Sequence, residues 1–269
     1  MSSYLDKKDI QLSKNFFKKG FIIRKVSDLK SLKTLRAAIV NSLCKSLKIK
    51  MKKEKDFDKF LNEVHEIIKI KNLNDVRLNI LNSINSSSEF HKKYFEVSKD
   101  LLFSLVGNEL AMQTRVNLSI QLPDDSSSLL PVHSDIWSGD SPFEVVVWIP
   151  LVNCYSSKTM YILKPENYKK IHTQFKKYAG KNSSDFFKNI KKNVEWINIK
   201  FGEILIFNQS LPHGNIINSE KETRWSLNCR FKSLYSPYGD KKIGEFFKPI
   251  TIRAASKIGM NYSLPNLKK

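Results

Sequence analysis

Near residue 112 the hydrophobic pattern of this chain changes period, and few folds accommodate both halves. Before that point apolar residues recur at helical spacing: Leu29, Leu32, Leu35, Ile39 and Leu43 follow a Ser27-Asp28 cap, and Phe57, Phe60, Leu61, Val64 and Ile67 form a second stripe across 56–70. Phe90, Tyr94, Phe95 and Val97 predict another helix after the serine-rich break at 86–88. Ahead of all three, the run from Phe16 to Val26 reads as an amphipathic helix end, a break at Gly20 and a short strand.

After residue 112 the period is two. Arg115, Asn117, Ser119 and Gln121 alternate with Val116, Leu118, Ile120 and Leu122, giving one polar and one apolar face. A buried strand over 143–151 and shorter ones at 160–163, 194–199, 204–207 and 225–231 follow, with a lysine-rich helical insertion over 165–193 that starts at Pro165. The expectation is one domain, mainly β with α: a helical part over 1–110 packed on an antiparallel barrel or sandwich over 111–269.

The chain has 269 residues, of which 41% are hydrophobic, enough for one large core. Its longest apolar run, 145–152, is far short of the roughly 20 residues of a membrane-spanning helix, and no signal-like apolar segment opens the sequence. A cytoplasmic protein without a membrane span is expected. Cys44, Cys154 and Cys229 are odd in number and form no CxxC pair, which speaks against a disulfide framework or zinc knuckle. The net charge of +20 raises nucleic acid as a partner, but only seven basic residues are arginine and no arginine-and-aromatic stripe is present. Solvated lysine surface is the better reading. Oligomeric state leaves no mark on the sequence.

Chemistry concentrates in a few residues. His133-Ser-Asp135, read as strand, puts two metal-ligating side chains on one face about 7 Å apart along the backbone. His213, in the turn-prone stretch after a strand ending at Phe207, is the best third ligand. Two imidazoles and one carboxylate that leave open positions suit non-haem iron(II), although catalytic zinc uses similar sets. Arg224 and Ser226 tip the balance. On one strand face, an arginine can pair bidentately with a carboxylate and a serine two residues on can add a hydrogen bond. That suits the distal carboxylate of 2-oxoglutarate, whose keto-acid end would chelate the metal. His65, His91 and His172 sit in helical, lysine-rich contexts and read as ordinary packing or surface residues.

These residues resemble the phytanoyl-CoA hydroxylase-like 2-oxoglutarate/iron(II) oxygenases. The resemblance runs through Phe17-Lys-Lys-Gly-Phe-Ile-Ile23, His133-Ser-Asp135, Trp148-Ile-Pro-Leu151, Gly202-Glu203, His213-Gly-Asn215 and Arg224. More narrowly, the stretch from His133 to Trp148 is similar to a subgroup found in bacterial carbohydrate and aminoglycoside gene clusters, streptomycin-type included. The resemblance implies a double-stranded β-helix of the jelly-roll or cupin-like kind. It also implies Fe(II) on His133, Asp135 and His213, 2-oxoglutarate and O2 as co-substrates, and hydroxylation of a sugar-like substrate. It further implies that Trp148, Gln121 and Asn117 line the 2-oxoglutarate pocket. The chain departs from the family where Ser157-Lys-Thr-Met-Tyr-Ile-Leu-Lys-Pro165 replaces an Asn-Gly followed by Pro-Gly-Ser-His. Asp135 is retained, against the halogenase variants that lose this carboxylate.

Trp137, Asp140, Arg115 and Arg230 are candidates for substrate contact, by stacking on a sugar ring or pairing with polar groups. Arg115 and Arg230 could instead pair with Glu144 or Glu203, and Asp140 could serve a turn in Ser-Gly-Asp-Ser-Pro. The loop 123–131 and the N-terminal helices could close over the site. Two other functions stay open on sequence alone: a metal-dependent isomerase or hydrolase of barrel fold, and a catalytically silent basic binding protein.

Overall fold

The computed structural model describes residues 4–173, 175–178 and 182–264. Five helices precede most of the strands. Helix α1 (Lys7–Lys19) is capped by Asp6, whose carboxylate accepts the Asp9 amide, and ends at Gly20 in the left-handed region (φ 78°). Gly20 turns the chain directly into β1 (Phe21–Lys25). Helix α2 (Leu29–Leu47), capped by Asp28, buries four of the five stripe residues, Leu32, Leu35, Ile39 and Leu43, while Leu29 in its first turn is exposed.

The second expected helix does not run through. Helix α3 (Phe57–Asn62) stops because Asn62 is committed elsewhere: its carbonyl accepts the Thr223 amide at 2.8 Å and its side chain accepts Lys158 Nζ at 2.6 Å. Phe57, Phe60, Leu61 and Val64 are buried as the periodicity requires, but Ile67 lies beyond the break and is exposed. The chain resumes in α4 (Ile70–Asn85), an element not singled out by the sequence reading, and continues in α5 (Ser88–Leu105) with Ser87 as its cap. Helix α2 packs against both α4 and α5.

The strands form two antiparallel sheets. The larger runs β1-β7-β4-β9-β2-β10, and β3 also pairs with β9. Its members are β2 (Leu110–Gln113), β3 (Asn117–Gln121), β4 (Glu144–Pro150), β7 (Glu203–Asn208), β9 (Arg224–Ser233) and β10 (Phe247–Thr251), together with β1. Strand β9 organises it. One edge pairs with β4 from Glu144↔Lys232 to Pro150↔Ser226; the other pairs with β3 beside Arg224–Asn228 and with β2 beside Phe231–Ser233. The smaller sheet is β6-β5-β8, from β5 (Tyr161–Leu163), β6 (Val194–Trp196) and β8 (His213–Gly214). Between β5 and β6 lie α6 (Pro165–His172) and α7 (Ser183–Ile190); residues 174 and 179–181 of this insertion are outside the described residues. A last helix, α8 (Ala254–Met260), follows β10.

Helices hold more residues than strands, so the fold is a mixed α/β one and not mainly β. The reason is the predominantly helical stretch before β2. One core cluster spans both parts, from Leu12 through Ile39, Ile80 and Tyr94 to Val147, Leu205, Trp225 and Phe231. Polar bonds cross the same seam: Trp225 Nε1 donates to the Leu61 carbonyl at 2.9 Å, and Tyr94 Oη to the Val147 carbonyl at 2.8 Å. Each is worth about 1 kcal/mol net, and more if its partner is left unsatisfied. Among the described residues, no helix is long and apolar enough to cross a membrane.

Candidate metal centre

His133, Asp135 and His213 come together with one potential ligand atom each, all within 4.8 Å of one another. Two chain segments do this. His133 and His213 exchange backbone hydrogen bonds (2.9 and 2.8 Å) in an isolated antiparallel bridge, and the Asp135 amide donates to the Gln209 carbonyl at 3.2 Å. The Ser134 hydroxyl adds bonds to the Gln209 and Ser210 carbonyls. The expected strand through His133 and Asp135 is therefore only a bridge. Asp135 opens a short 3-10 turn over Asp135–Ser138 that Gly139 ends at φ 86°. A strand would need a partner along its length, and here the neighbouring chain turns away after one residue pair.

The imidazole tautomers follow from their partners. Nδ1 of His133 donates to the Pro131 carbonyl and Nδ1 of His213 to the Leu211 carbonyl, both at 2.8 Å. The two Nε2 atoms face the carboxylate, 3.6 and 4.0 Å from Asp135 Oδ1. Burial pulls His213 down to about 4, with the neighbouring His133 adding to the effect, so its ring is neutral and free to ligate. The donor set, two imidazoles and one carboxylate, fits a divalent transition metal.

Arg230 sits beside the carboxylate and lines the same cavity. Its Nη2 is 3.0 Å from Asp135 Oδ1, and the guanidinium is fixed by Gln209 Oε1 (3.0 Å), Gln113 Oε1 (3.4 Å) and Asp140 Oδ1 (3.5 Å). Asp140 is buried and also held by Lys241. Gln209 in turn donates to Glu144, a carboxyl that burial raises. Of the proposed substrate contacts, Arg230 is thus the one at the site, and it spends its charge on Asp135 and Asp140, not on Glu144 or Glu203.

The other three are elsewhere. Asp140 is buried outside the cavity lining, where it pairs with Lys241 and Arg230. Trp137 packs edge-on against Phe186 of the insertion, with ring centroids 6.0 Å apart. Arg115 is exposed in the bend between β2 and β3, where the chain crosses from one half of β9 to the other. His65 and His91 hydrogen-bond within the structure and His172 is exposed.

A cavity of about 360 Å³ opens beside the triad, lined by His133, Asp135, His213, Arg224, Arg230, Asn117, Ser119, Trp148 and Asn228 among others. The period-two rule accounts for much of this wall. Asn117 and Ser119 of β3 stand opposite Asn228 and Ser226 of β9, and Trp148 of β4 is opposite Asn228. Gln121 does not contribute: it is fully buried, and its amide donates to the Ile216 carbonyl at 2.6 Å. Ser119, Met160, Phe207, Asn215 and Arg77 are wall residues that the sequence reading missed. Ser119 could have been found from its register two residues from Asn117. Arg77 could not, since nothing in the sequence brings α4 to this wall.

Arg224 is the residue with the strongest unmet demand. Only 2% exposed, it donates to the Thr159 carbonyl (3.1 Å) and Ser119 Oγ (2.8 Å), while its Nε has no partner. Among the described residues no carboxylate pairs with it. Burial pulls it down to about 10. Burying an uncompensated cation costs several kcal/mol, so a ligand that brings a negative charge would be strongly favoured here. The Ser226 hydroxyl on the same strand is likewise buried without a partner, although Ser226 itself is not among the residues lining the cavity.

No protein-family model and no curated protein matches the chain. Solved structures do. The non-heme monooxygenase ThoJ in its apo form aligns with a TM-score of 0.58 at 12% identity, over 90% of this chain and 84% of that one. SnoK, a non-heme alpha-ketoglutarate-dependent carbocyclase from nogalamycin biosynthesis, gives 0.53 at 12% identity over 92% and 97%. Apo HygX from Streptomyces hygroscopicus gives 0.52 at 9% over 87% and 89%. The chain shares the fold of these non-heme enzymes across most of its length.

Proposed function

We propose that this chain is an Fe(II)- and 2-oxoglutarate-dependent dioxygenase that hydroxylates or otherwise oxidises a sugar-like small molecule. The observation that carries the reading is Arg224: a fully buried guanidinium without a carboxylate partner, in the wall of the same cavity as a two-histidine, one-carboxylate cluster. A dicarboxylate with one end on the metal and the other on Arg224 answers both demands at once. The partnerless Ser226 hydroxyl and Arg224 Nε fit the same carboxylate. ThoJ and SnoK, with the same fold, are described as a non-heme monooxygenase and an alpha-ketoglutarate-dependent carbocyclase, which supports redox chemistry on small molecules.

In this reading His133, Asp135 and His213 hold the iron and the fold is a double-stranded β-helix acting as one domain. Iron bound there, with 2-oxoglutarate and O2, supplies the oxidising power for attack on a substrate C–H bond. The protein's own residues do the rest. The Pro131 and Leu211 carbonyls retain the Nδ1 protons and leave each Nε2 available. Arg230 fixes the direction of the Asp135 carboxylate. Arg224 orients the co-substrate, Ser226 stands two residues along the same strand, and Asn117 and Trp148 form its side walls. Val146, Met160 and Phe207 add apolar surface to the lining, and apolar surroundings strengthen charged contacts. The sugar-like substrate rests on the resemblance of the His133–Trp148 stretch and on the amide-rich wall of Asn117, Asn215 and Asn228.

The test is turnover of 2-oxoglutarate to succinate with Fe(II), O2 and ascorbate. Wild type should form succinate even without the prime substrate, at a slow uncoupled rate, and Asp135→Ala should reduce it to background. Metal binding with no succinate formed, or equal rates in wild type and Asp135→Ala, would favour the isomerase or hydrolase reading.

A further inference from the structure

The cavity wall contains three of the seven arginines and no lysine, in a chain whose basic residues are overwhelmingly lysine. Two are accounted for: Arg230 is spent on Asp135 and Asp140, and Arg224 faces the co-substrate carboxylate. The third, Arg77, is the single residue that the N-terminal helices contribute to the lining. It projects from α4, which packs against β3, and it is half-buried. Its Nη2 donates to Asn74 Oδ1 at 2.6 Å, one turn back on the same helix, a bond that orients the guanidinium. Among the described residues no carboxylate pairs with it, although Asp75 is two positions away in sequence.

We infer that Arg77 marks a second anion subsite, and that the organic substrate carries a carboxylate or phosphate group. The inference rests on the oxygenase reading, because it takes the cavity as the place where co-substrate and substrate meet. A guanidinium is planar and presents a fork of donors that matches carboxylate and phosphate oxygens two at a time, whereas an ammonium is a point charge. An unpaired arginine in the wall of a cavity is a recognition element where a lysine on the outer surface is only solvated charge. The subsite is also separate from the first. Arg224 is sealed in the sheet between Ser119 and Thr159, whereas Arg77 reaches the same cavity half-buried from the helical layer, on α4. The group bound at Arg77 therefore belongs to a second molecule and not to the co-substrate held at Arg224. A phosphorylated or acidic sugar fits both this subsite and the amide-rich wall.

The experiment uses the full chain loaded with Zn(II) and saturated with 2-oxoglutarate, so that Arg224 is occupied. Inorganic phosphate and acetate are then titrated separately by calorimetry, into wild type, Arg77→Gln and Arg77→Lys. At least one of the two anions should bind wild type, and Arg77→Gln should weaken it by about tenfold or more. Arg77→Lys should recover only part of the loss. Which of the two binds tells phosphate from carboxylate. No binding of either anion to wild type, or equal affinity in wild type and Arg77→Gln, overturns the inference. The 2-oxoglutarate affinity measured in the same samples separates the two failures. If 2-oxoglutarate binds all three proteins alike while Arg77 has no effect on the anions, only the subsite is refuted; if 2-oxoglutarate does not bind, the oxygenase reading itself falls.

Discussion

Arg224 and Arg230 are two cations on one strand face with opposite environments, and that contrast explains most of what the cavity can do. Arg230 has acceptors on nearly every side, so it behaves as a rigid part that holds Asp135 Oδ1 at 3.0 Å. Its positive charge opposes a metal ion nearby, while its grip keeps the ligand carboxylate from rotating away. Outer contacts to metal ligands are commonly worth 10- to 100-fold in affinity. The positioning effect should win, and Arg230→Gln should bind Mn(II) about tenfold more weakly than wild type in a titration followed by electron paramagnetic resonance. Tighter binding in the variant would mean that charge repulsion dominates. The triad was legible in the residue types alone, since His133 and Asp135 meet His213 through an isolated bridge and a 3-10 turn and not through the expected strand, whereas Arg224 and Ser226 do lie two residues apart on β9. Trp137 and Asp140 were not legible, because a turn residue points where its distant partners are: Phe186 for one, Lys241 for the other.

At the scale of elements, the triad depends on how β7 hands over to β8. The segment after Asn208 must bring His213 back against His133, and it does so packed on the α1–β1 turn, where Asn208 donates its amide to the Gly20 carbonyl at 2.9 Å. Gly20 has φ 78°, and a methyl group placed there would run into the Leu211 side chain, whose own backbone carbonyl holds His213 Nδ1. Gly20→Ala should lower stability by about 1–3 kcal/mol, read as a reduced denaturant midpoint at unchanged slope. A midpoint within error of wild type would mean that the turn relaxes freely. The helix break at Asn62 and the exposed Arg115 show where periodicity alone stops being informative. Both are set by bonds to chain segments more than a hundred residues away or by a crossover between strand partners.

For the whole molecule, the helical and sheet-bearing parts share one core cluster from Leu12 to Phe231, with Trp225, Tyr94 and Lys158 bonded across the seam. The expected single domain follows if that core melts as one. Far-ultraviolet circular dichroism and tryptophan fluorescence should then give coincident unfolding curves, and two separated transitions would divide the chain near residue 110. The change of period at residue 112 was enough to foresee helices against an antiparallel β structure. It could not foresee that α4 would lend Arg77 to the cavity, because that requires the packing of α4 on β3. The central claim is that one cavity holds a metal and a dicarboxylate together, and anaerobic titration of 2-oxoglutarate into the Fe(II)-loaded protein tests it most directly. Wild type should develop the visible charge-transfer absorption of a chelated keto acid, and Arg224→Gln should require about a hundredfold more 2-oxoglutarate to reach it. Absence of that absorption in iron-loaded wild type, or an unchanged titration in Arg224→Gln, would contradict the account.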